Sequence, residues 1–444
     1  MTQRKSSIDG KAETEGVSRR QFLRSAALVG SALAAPTIIP ATALGKDGAV
    51  APSERIVMGA IGIGGRGASV LNWMLGEKDM HFVAICDIRK SRREYVKSLV
   101  DTRYGSKDCA QYIDLREFLA ARDDIDALLI ATGDRWHALG SVMAMRAGKD
   151  VYCEKPGTLT VAEGQALRDT ERRYGRVFQT GTQRRSEGKF VAATQLARLG
   201  YLGKLHTVRA HLSSWSPVPR FDWRPAEPLP PKDEVDWDLW LGPCPWRPYN
   251  SSYVRGGWRG YYDFHSGDIG EWGSHTINQC QMVLDADDTS GIEYEYPGNK
   301  EGEGMVIRYA NGVKMILQRK GWHGSCGVKL EGDEGWVSVA DGYEKPEVSK
   351  PSLLQECPKL VRDYQAQTQR PLNHVRDLFN CIKTRRLTVS NAEAAHRSMT
   401  TCHAANICLW LERSLKWDPK KEEFINDPEA NRYLSRAARQ PWQI

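Results

Sequence analysis

From Glu54 to about Gly181, short apolar runs alternate with stretches whose apolar residues recur at helical spacing. The pattern predicts strands over Ile56–Ile61, Phe82–Cys86, Ala127–Ala131, Val151–Cys153 and Val177–Thr180. It predicts helices over Ala68–Leu75, Ser91–Tyr104, His137–Ala147 and Val161–Tyr174. A run such as Ala127–Ala131 has no polar alternation, so both faces of that strand must be covered. Repeated βα units of this length imply a parallel, doubly wound sheet of the Rossmann type.

After Gly181 the texture changes. Leu205–Leu212 alternates apolar and polar positions, while Met305–Tyr309 and Val313–Gln318 flank Ala310-Asn311-Gly312, a hairpin turn signal. Val328–Glu331 and Gly335–Val339 follow, broken by Gly332-Asp333-Glu334. These predict an α+β domain with an open antiparallel sheet, covered on one face by helices such as Val375–Thr384 and Ala392–Leu415. Seven of the 14 Trp fall between Trp215 and Trp272, mostly as packing for an irregular loop, with flat faces for sugar rings as the other use. The resulting division is a parallel α/β domain over 54–181, an α+β domain over 182–415, and a polar tail over 416–444.

Composition fits two soluble cores: 444 residues, 41% hydrophobic and 26% charged. Of the net charge of +7, the first 43 residues supply six Lys/Arg against three Asp/Glu, leaving only +4 for the rest. That surplus, spread without runs, gives no support to a nucleic-acid partner.

The front end reads as an address. Ser18-Arg19-Arg20-Gln21-Phe22-Leu23-Arg24 precedes an uncharged, Ala-rich stretch that reaches Lys46, and Ala41-Thr42-Ala43 offers a small-x-small cleavage site. This is the pattern of a twin-arginine signal peptide over 1–43, handed to the twin-arginine translocase and directing the protein to the periplasm. The alternative is a retained anchor, for which Pro36 and Pro40 make a poor spanning helix. No Cys precedes Cys86, which excludes a lipid-attached Cys at the cleavage point. Because that route carries folded cargo, often with a cofactor in place, a cofactor site is expected further along. The ten Cys show no C-x-x-C pair and no zinc spacing, so neither a disulfide framework nor a metal site is expected.

The chemistry begins at Gly62-Ile63-Gly64-Gly65-Arg66-Gly67, between the first strand and first helix. Glycines there permit a tight turn and close backbone approach to a pyrophosphate, which the helix N-terminus favours. Asp87 stands twenty residues past Gly67 at the tip of strand two, where a carboxylate accepts ribose hydroxyls. It favours NAD, while Arg89, Arg92 and Arg93 leave NADP as the minority reading. Ala131-Thr132-Gly133-Asp134-Arg135-Trp136-His137 and Gly148-Lys149-Asp150-Val151-Tyr152-Cys153-Glu154-Lys155-Pro156 each end a later strand, so both face the same ligand.

The glycine turn, the Thr132-x-x-x-Trp136-His137 segment and Glu154-Lys155-Pro156 resemble the Gfo/Idh/MocA oxidoreductases, in particular their twin-arginine-exported bacterial branch. The resemblance extends through Gly181-Thr182-Gln183-Arg184-Arg185-Ser186 and Leu239-Trp240-Leu241-Gly242-Pro243 to Asn426-Asp427-Pro428-Glu429-Ala430-Asn431. It implies that Gly62, Gly64, Gly65, Arg66, Gly67, Asp87, Thr132, Trp136, His137, Glu154 and Lys155 bind the cofactor. Lys155 would then lie beside the nicotinamide and the substrate hydroxyl. The family usually places an Asp and a His four apart on one helix face; this chain has Glu271 and His275. Glu271 is therefore either a catalytic carboxylate one methylene longer than usual, or the cap residue of an Asp268-x-x-Glu271 box. His275, a turn further in, is the candidate acid/base, and His265 a weaker one of the same kind.

Gln183, Arg184 and Arg185 are candidates, with His275, to grip a carbohydrate or polyol substrate, surface ion pairing being the alternative for the arginines. The resemblance further implies a homo-oligomer paired through the second domain. Three functions stay open at this point. The first is an NAD(P)-dependent oxidoreductase acting on a sugar, sugar derivative or cyclitol hydroxyl, with cofactor retained and recycled. The second is an NAD-dependent glycoside hydrolase working through a transient keto sugar. The third is a non-catalytic, nucleotide-bound sugar-binding protein.

Overall fold

The apolar runs of the first half pair side by side, each buried on both faces by the helices between them. The computed structural model describes residues 50–212, 219–298 and 304–444, so the predicted export signal and Trp215 lie outside the described residues. The succession is β1 (Ile56–Ile63), α1 (Gly65–Leu75), β2 (Met80–Cys86), α2 (Lys90–Tyr104), β3 (Ala110–Tyr112) and α3 (Leu115–Ala121). It continues with β4 (Ala127–Ala131), α4 (Asp134–Arg146), β5 (Asp150–Cys153), α5 (Val161–Tyr174) and β6 (Phe178–Thr180). All neighbours are parallel, in the order β3-β2-β1-β4-β5-β6. The order reverses between β1 and β4, and the crevice outside their carboxyl ends is where such sheets take ligands.

The second half adds α6 (Gly188–Arg198), β7 (Leu205–His211), α7 (Trp237–Leu241), α8 (Gly267–Val283), β8 (Glu293–Glu295), β9 (Met305–Arg308) and β10 (Lys314–Gln318). Then come β11 (Val328–Gly332), β12 (Trp336–Val339), β13 (Glu347–Val348), α9 (Pro351–Thr368), α10 (His374–Thr384), α11 (Ala392–Trp410), β14 (Leu415–Asp418) and β15 (Glu423–Phe424). Nine strands form one sheet, ordered β13-β12-β11-β7-β10-β9-β8-β14-β15. It is mostly antiparallel, with β7 and β10 paired parallel. A parallel pair needs a long crossover, and the stretch carrying α7 and α8 supplies it. The predicted hairpin joins β9 to β10, with Gly312 at φ 85° and Asn311 Oδ1 accepting the Val313 N–H at 3.1 Å. Residues of α6, α8 and α11 bury one face of this sheet.

Two expectations fail on the second half. The last long helix does not reach Leu415: α11 stops at Trp410, and Glu412 turns left-handed at φ 52° with no glycine to announce it. The polar tail over 416–444 is in part structural, because β14 and β15 extend the sheet and Trp417 is 1% exposed. Trp442, also buried, returns to the first half and packs edge-on against Trp136 at 5.0 Å between ring centroids. Helices α6 and α9 are additions the hydrophobic pattern did not reveal. Helix α10 lies in the second half of the chain yet buries Val375, Leu378 and Phe379 in the core of the parallel sheet. Helix α11 shares Ala392 and Ala395 with that half and its buried apolar residues from Met399 onward with the other. All ten Cys are unpaired, and no helix among the described residues is long and apolar enough to cross a membrane.

Candidate active site

The turn from β1 into α1 is glycine where space demands it. Gly62 adopts φ 70°, and a Cβ there would meet the Thr132 side chain at 2.4 Å. At Gly67 a Cβ would meet Ala131 at 2.7 Å, so α1 seats against β4 only without one. A Cβ at Gly64 or Gly65 would meet nothing within 4 Å, and no side chain caps the helix N-terminus. That leaves first-turn backbone facing open space, the cradle a pyrophosphate needs. Asp87, 5% exposed, ends β2 beside it: Oδ2 accepts the Ile63 N–H and Oδ1 the Arg89 N–H, both at 2.9 Å. Burial pushes its carboxyl up although Arg89 opposes the shift, and each oxygen keeps a lone pair for a hydroxyl donor. A cleft of about 470 Å³ runs over the turn, with Gly62, Gly64, Asp87, Thr132, Trp136 and Trp258 in its lining. These features fit a dinucleotide.

The Trp-rich segment closes the other wall. Trp237, Trp240, Tyr253, Tyr261 and Phe264 form their own small core, and Val254 to Arg259 contribute lining to the cleft. Main-chain bonds tie this segment to the β2 side: Lys90 N–H to Glu234 O at 3.1 Å and Asp236 N–H to Ile88 O at 3.3 Å. Arg89 Nη1 donates to Val254 O at 3.5 Å. Most of these aromatics therefore serve packing, as their surroundings in the sequence suggested, whereas Trp223 and Trp246 stand exposed.

A cluster of ionisable side chains lies where β5 ends against α8. Lys155 Nζ donates to Glu271 Oε1 at 2.7 Å and to the Glu271 carbonyl at 3.2 Å. Glu271 Oε2 takes His265 Nε2 at 3.0 Å, and Gly260 N–H donates to His265 Nδ1 at 3.2 Å. An accepting Nδ1 fixes the neutral tautomer that donates from Nε2. Burial works against the Glu271 carboxylate, but His265 and Lys155 together hold it well below the usual carboxyl range. The capping-box reading of Glu271 is thereby overturned. Helix α8 begins at Gly267 with Ser266 as its cap, so Asp268 is not the cap residue and the Glu271 carboxylate faces Lys155 instead. His275 is 6% exposed and its Nδ1 has no hydrogen-bond partner. Burial first, then the charges of Arg184, Lys155 and Arg66, push its imidazole far below the ordinary histidine range. Asp134, His265 and Glu271 offer ligand atoms within 4.8 Å of one another. The Lys155 ammonium already supplies that carboxylate with positive charge, and Asp134 Oδ2 accepts both the N–H and the hydroxyl of Ser266 at 3.0 Å.

Two arginines join the cluster to the cleft. Arg66, in the glycine turn, reaches Glu154 Oε1 at 3.2 Å, and Arg259 lies 3.6 Å from Glu271 Oε2. Both line the cleft. Glu154, 3% exposed, is also bonded by Gln183 Nε2 at 3.2 Å, which reaches the Tyr152 hydroxyl at 2.8 Å as well.

The other expected ligands divide. Thr132 lines the cleft. Trp136 does too, but its indole N–H is bonded to Leu239 O at 2.9 Å and its ring fills the space over Gly242, so its principal work is fastening the Trp-rich segment. His137 is absent from the cleft wall; Nδ1 holds the Pro156 carbonyl at 2.6 Å and so supports the Lys155 loop from behind. Arg184 pairs with Asp341 and sits near enough to His275 to act on its charge. Arg185 is the clear correction. Its five donors are all engaged, by Asn278 Oδ1 and O, both Asp287 oxygens and Val389 O, which leaves none for a substrate. Arg135 and Arg259 line the cleft and were not singled out, although Arg135 lies in the 131–137 segment expected to face the ligand; for Arg259 the one signal is its place beside Gly260.

The sequence model of the oxidoreductase family's NAD-binding Rossmann fold matches residues 56–182, and that of its C-terminal alpha/beta domain matches 218–444. A glycosyl hydrolase family 109 protein of Saccharopolyspora erythraea is 34% identical over 173 residues, 36% of this chain and 38% of the relative. An inositol 2-dehydrogenase of Salmonella agona is 29% identical over 165 residues, 37% of this chain and 47% of the relative. The chain thus spans less than half the length of these curated relatives. Among solved structures, myo-inositol 2-dehydrogenase from Lactobacillus plantarum superposes with a TM-score of 0.56 at 16% identity, covering 82% of this chain and 99% of that one. By the two sequence models, which together take in both halves of the fold, this chain belongs to the Gfo/Idh/MocA oxidoreductase family.

Proposed function

We propose that this chain is an exported oxidoreductase that removes hydride from a carbinol carbon of a sugar, sugar derivative or cyclitol, using a nicotinamide cofactor that stays in its cleft. The observation that carries the reading is the Lys155–Glu271 pair, with a neutral His275 one turn on, joined to the glycine-turn cleft through Arg66 and Arg259. Gly64, Gly65, Asp87 and Thr132 would hold the dinucleotide, which when bound supplies the hydride acceptor. Asp87 favours NAD, since its carboxylate would oppose a 2′-phosphate; NADP is the lesser reading.

The chain's own residues then handle one proton and one oxygen. Lys155 has three donors and two are held by Glu271, so the third can meet the substrate oxygen and stabilise charge developing there. His275, kept neutral, takes the hydroxyl proton on the lone pair of its unpartnered Nδ1 as the carbon loses hydride. Glu271 fixes the ammonium from one side while His265 fixes Glu271 from the other.

Export by the twin-arginine route and a cleft wall tied down by main-chain bonds both favour a cofactor bound before export and regenerated in place. Protein expressed with its signal should purify with nucleotide absorbance, and that spectrum should change on addition of one member of a panel of sugars and polyols. Nucleotide-free protein that binds NAD only at millimolar levels would end the reading.

A second reading is glycoside cleavage through a transient keto sugar, favoured by the likeness to a family 109 glycosyl hydrolase. Oxidation of the hydroxyl two carbons from the glycosidic carbon acidifies the C–H between them, the glycosidic substituent leaves by β-elimination, water adds to the resulting enone and the ketone is reduced again. Release of aglycone from a chromogenic glycoside with no net change in cofactor redox state would select it.

A further inference from the structure

The guanidinium of Arg135 is buried without a counter-ion. The residue is 5% exposed, Nε donates to the Trp240 carbonyl at 2.7 Å, and the plane lies 3.5 Å from the centre of the Trp240 ring. Its Nη1 is buried and has no hydrogen-bond partner. Among the described residues no carboxylate comes within 4.0 Å of it; neighbouring Asp134 turns to Ser266 instead. Burial pushes its pKa down to about 10, so it remains a cation at neutral pH. An unpaired buried charge is costly, and structures keep one where a ligand completes it.

Nη1 is enclosed, so it is the remaining edge of the guanidinium that the cleft can reach. A Cβ on Gly133 would meet Nη1 at 2.6 Å, so the arginine folds back over the start of α4, a thirteen-residue helix whose cap, Gly133, has no side chain to offer. Arg135 lines the same cleft as the glycine turn, with Arg66, Arg89, Arg92, Arg255 and Arg259. Against these six cations the lining holds one carboxylate, Asp87. Such a wall suits a ligand bearing more than one negative charge.

We propose that Arg135 is an anion-binding residue of this cleft, fixed by Trp240 so that the guanidinium edge facing the cleft takes the pyrophosphate of the dinucleotide. The assignment rests on the cofactor reading above. It also accounts for the glycine at 133 and for the stacked Trp240, which holds the guanidinium in place before any ligand arrives.

The test compares wild type with Arg135→Met, in the full chain, by titration with NAD, ADP-ribose, NADP and adenosine and by melting of each protein freed of nucleotide. Affinity for NAD and for ADP-ribose should fall roughly tenfold or more, by equal factors, with adenosine unchanged. The nucleotide-free variant should melt no lower than wild type, because the substitution removes an unpaired buried charge and keeps its apolar stem. Arg135→Lys, which keeps the charge and loses the fork, should show the same ordering with a smaller loss and serves if the Met variant does not fold. Affinity for NAD within twofold of wild type would overturn the assignment. So would a loss shared by adenosine, a loss confined to NADP, or a lowered melting temperature with ligand affinities intact. Wild-type protein that binds neither NAD nor ADP-ribose would instead bring down the cofactor reading, and this assignment with it.

Discussion

Lys155 Nζ is held 2.7 Å from Glu271 Oε1 and 3.2 Å from the carbonyl oxygen of the same residue, so one residue in the first turns of α8 fixes the ammonium at the end of β5. The extra methylene of Glu over Asp is what lets a single carboxylate touch Lys155 and His265 at once.

Glu271→Gln keeps the length and removes the charge. The Lys155 ammonium then loses its counter-ion in a half-buried site, and kcat/KM should fall on the order of a hundredfold with the fold intact. Glu271→Asp keeps the charge but cannot span both partners, so a smaller loss of kcat is expected. Steady-state kinetics on the substrate found by the sugar panel, with circular dichroism as the control for folding, checks both. Full activity in Glu271→Gln would remove the carboxylate from the mechanism.

The pH profile follows from His275. Burial and the charges of Arg184, Lys155 and Arg66 hold it neutral far below the ordinary histidine pKa, and Glu271 is likewise ionised to low pH. The acid limb of kcat/KM should therefore lie well below about 6.5, the unperturbed value. Activity halved already at that pH would overturn the neutral His275 described here unless the limb moves to lower pH in Glu271→Gln, which removes the partner that raises His265 against its burial.

Arg185→Met separates scaffold from substrate contact. The side chain is 1% exposed and its loss leaves the oxygens of buried Asn278 and the Val389 carbonyl short of a donor, while Asp287, 42% exposed, turns to water, so stability should drop by about 2–3 kcal/mol. KM of the surviving folded fraction should be unchanged. A large rise in KM with little loss of melting temperature would restore the substrate-gripping role expected of it.

How far the chain could be read depended on whether a feature was local. The turn at Gly62 needs glycine because its own φ is 70° and Thr132 crowds it, and such a demand is visible in the residues themselves. Asp87 could be placed at the cleft because strand ends in a parallel sheet open on one crevice, whereas Lys155, named through the resemblance, meets Glu271 and is not among the cleft's lining residues. Arg184 and Arg185 were not separable: they sit side by side in the short Gln183–Ser186 turn, and only tertiary partners send one to Asp341 and the other to Asp287. His265 could not be paired with Glu271 without knowing that the helix starts at Gly267. The tail misled because its average is polar while single residues, Trp417 and Trp442, carry the burial.

Stability should fall as pH drops below about 6.5, and the cause is the set of histidines with no room for a second proton. His374 donates from Nε2 to the Thr180 carbonyl at 2.9 Å and receives Ser186 Oγ at Nδ1, also at 2.9 Å, so protonation would set a donor against a donor. Burial lowers its pKa to about 4, and that of His403, buried beside Thr158, to about 3. Both folded values lie below the unfolded one, so at acid pH the unfolded chain binds protons the folded chain refuses, and at pH 5 each group costs roughly 2 kcal/mol. Glu163 works in the opposite sense: burial raises its carboxyl to about 7, so the stability it supplies is present below its unfolded pKa and lost as pH rises through 7. Glu163→Gln, whose amide oxygen can still accept the Leu159 N–H, should therefore stabilise by about 1–2 kcal/mol at pH 8 and have no effect near pH 4.5. Melting temperatures of wild type and variant from pH 4.5 to 8.5 test both signs at once. Because Glu163 and Glu171, both raised to about 7 by burial, offset part of the histidine loss in the wild type, the difference between the two curves decides, and a variant whose advantage grows toward acid would show that Glu163 titrates in the fold as it does in water.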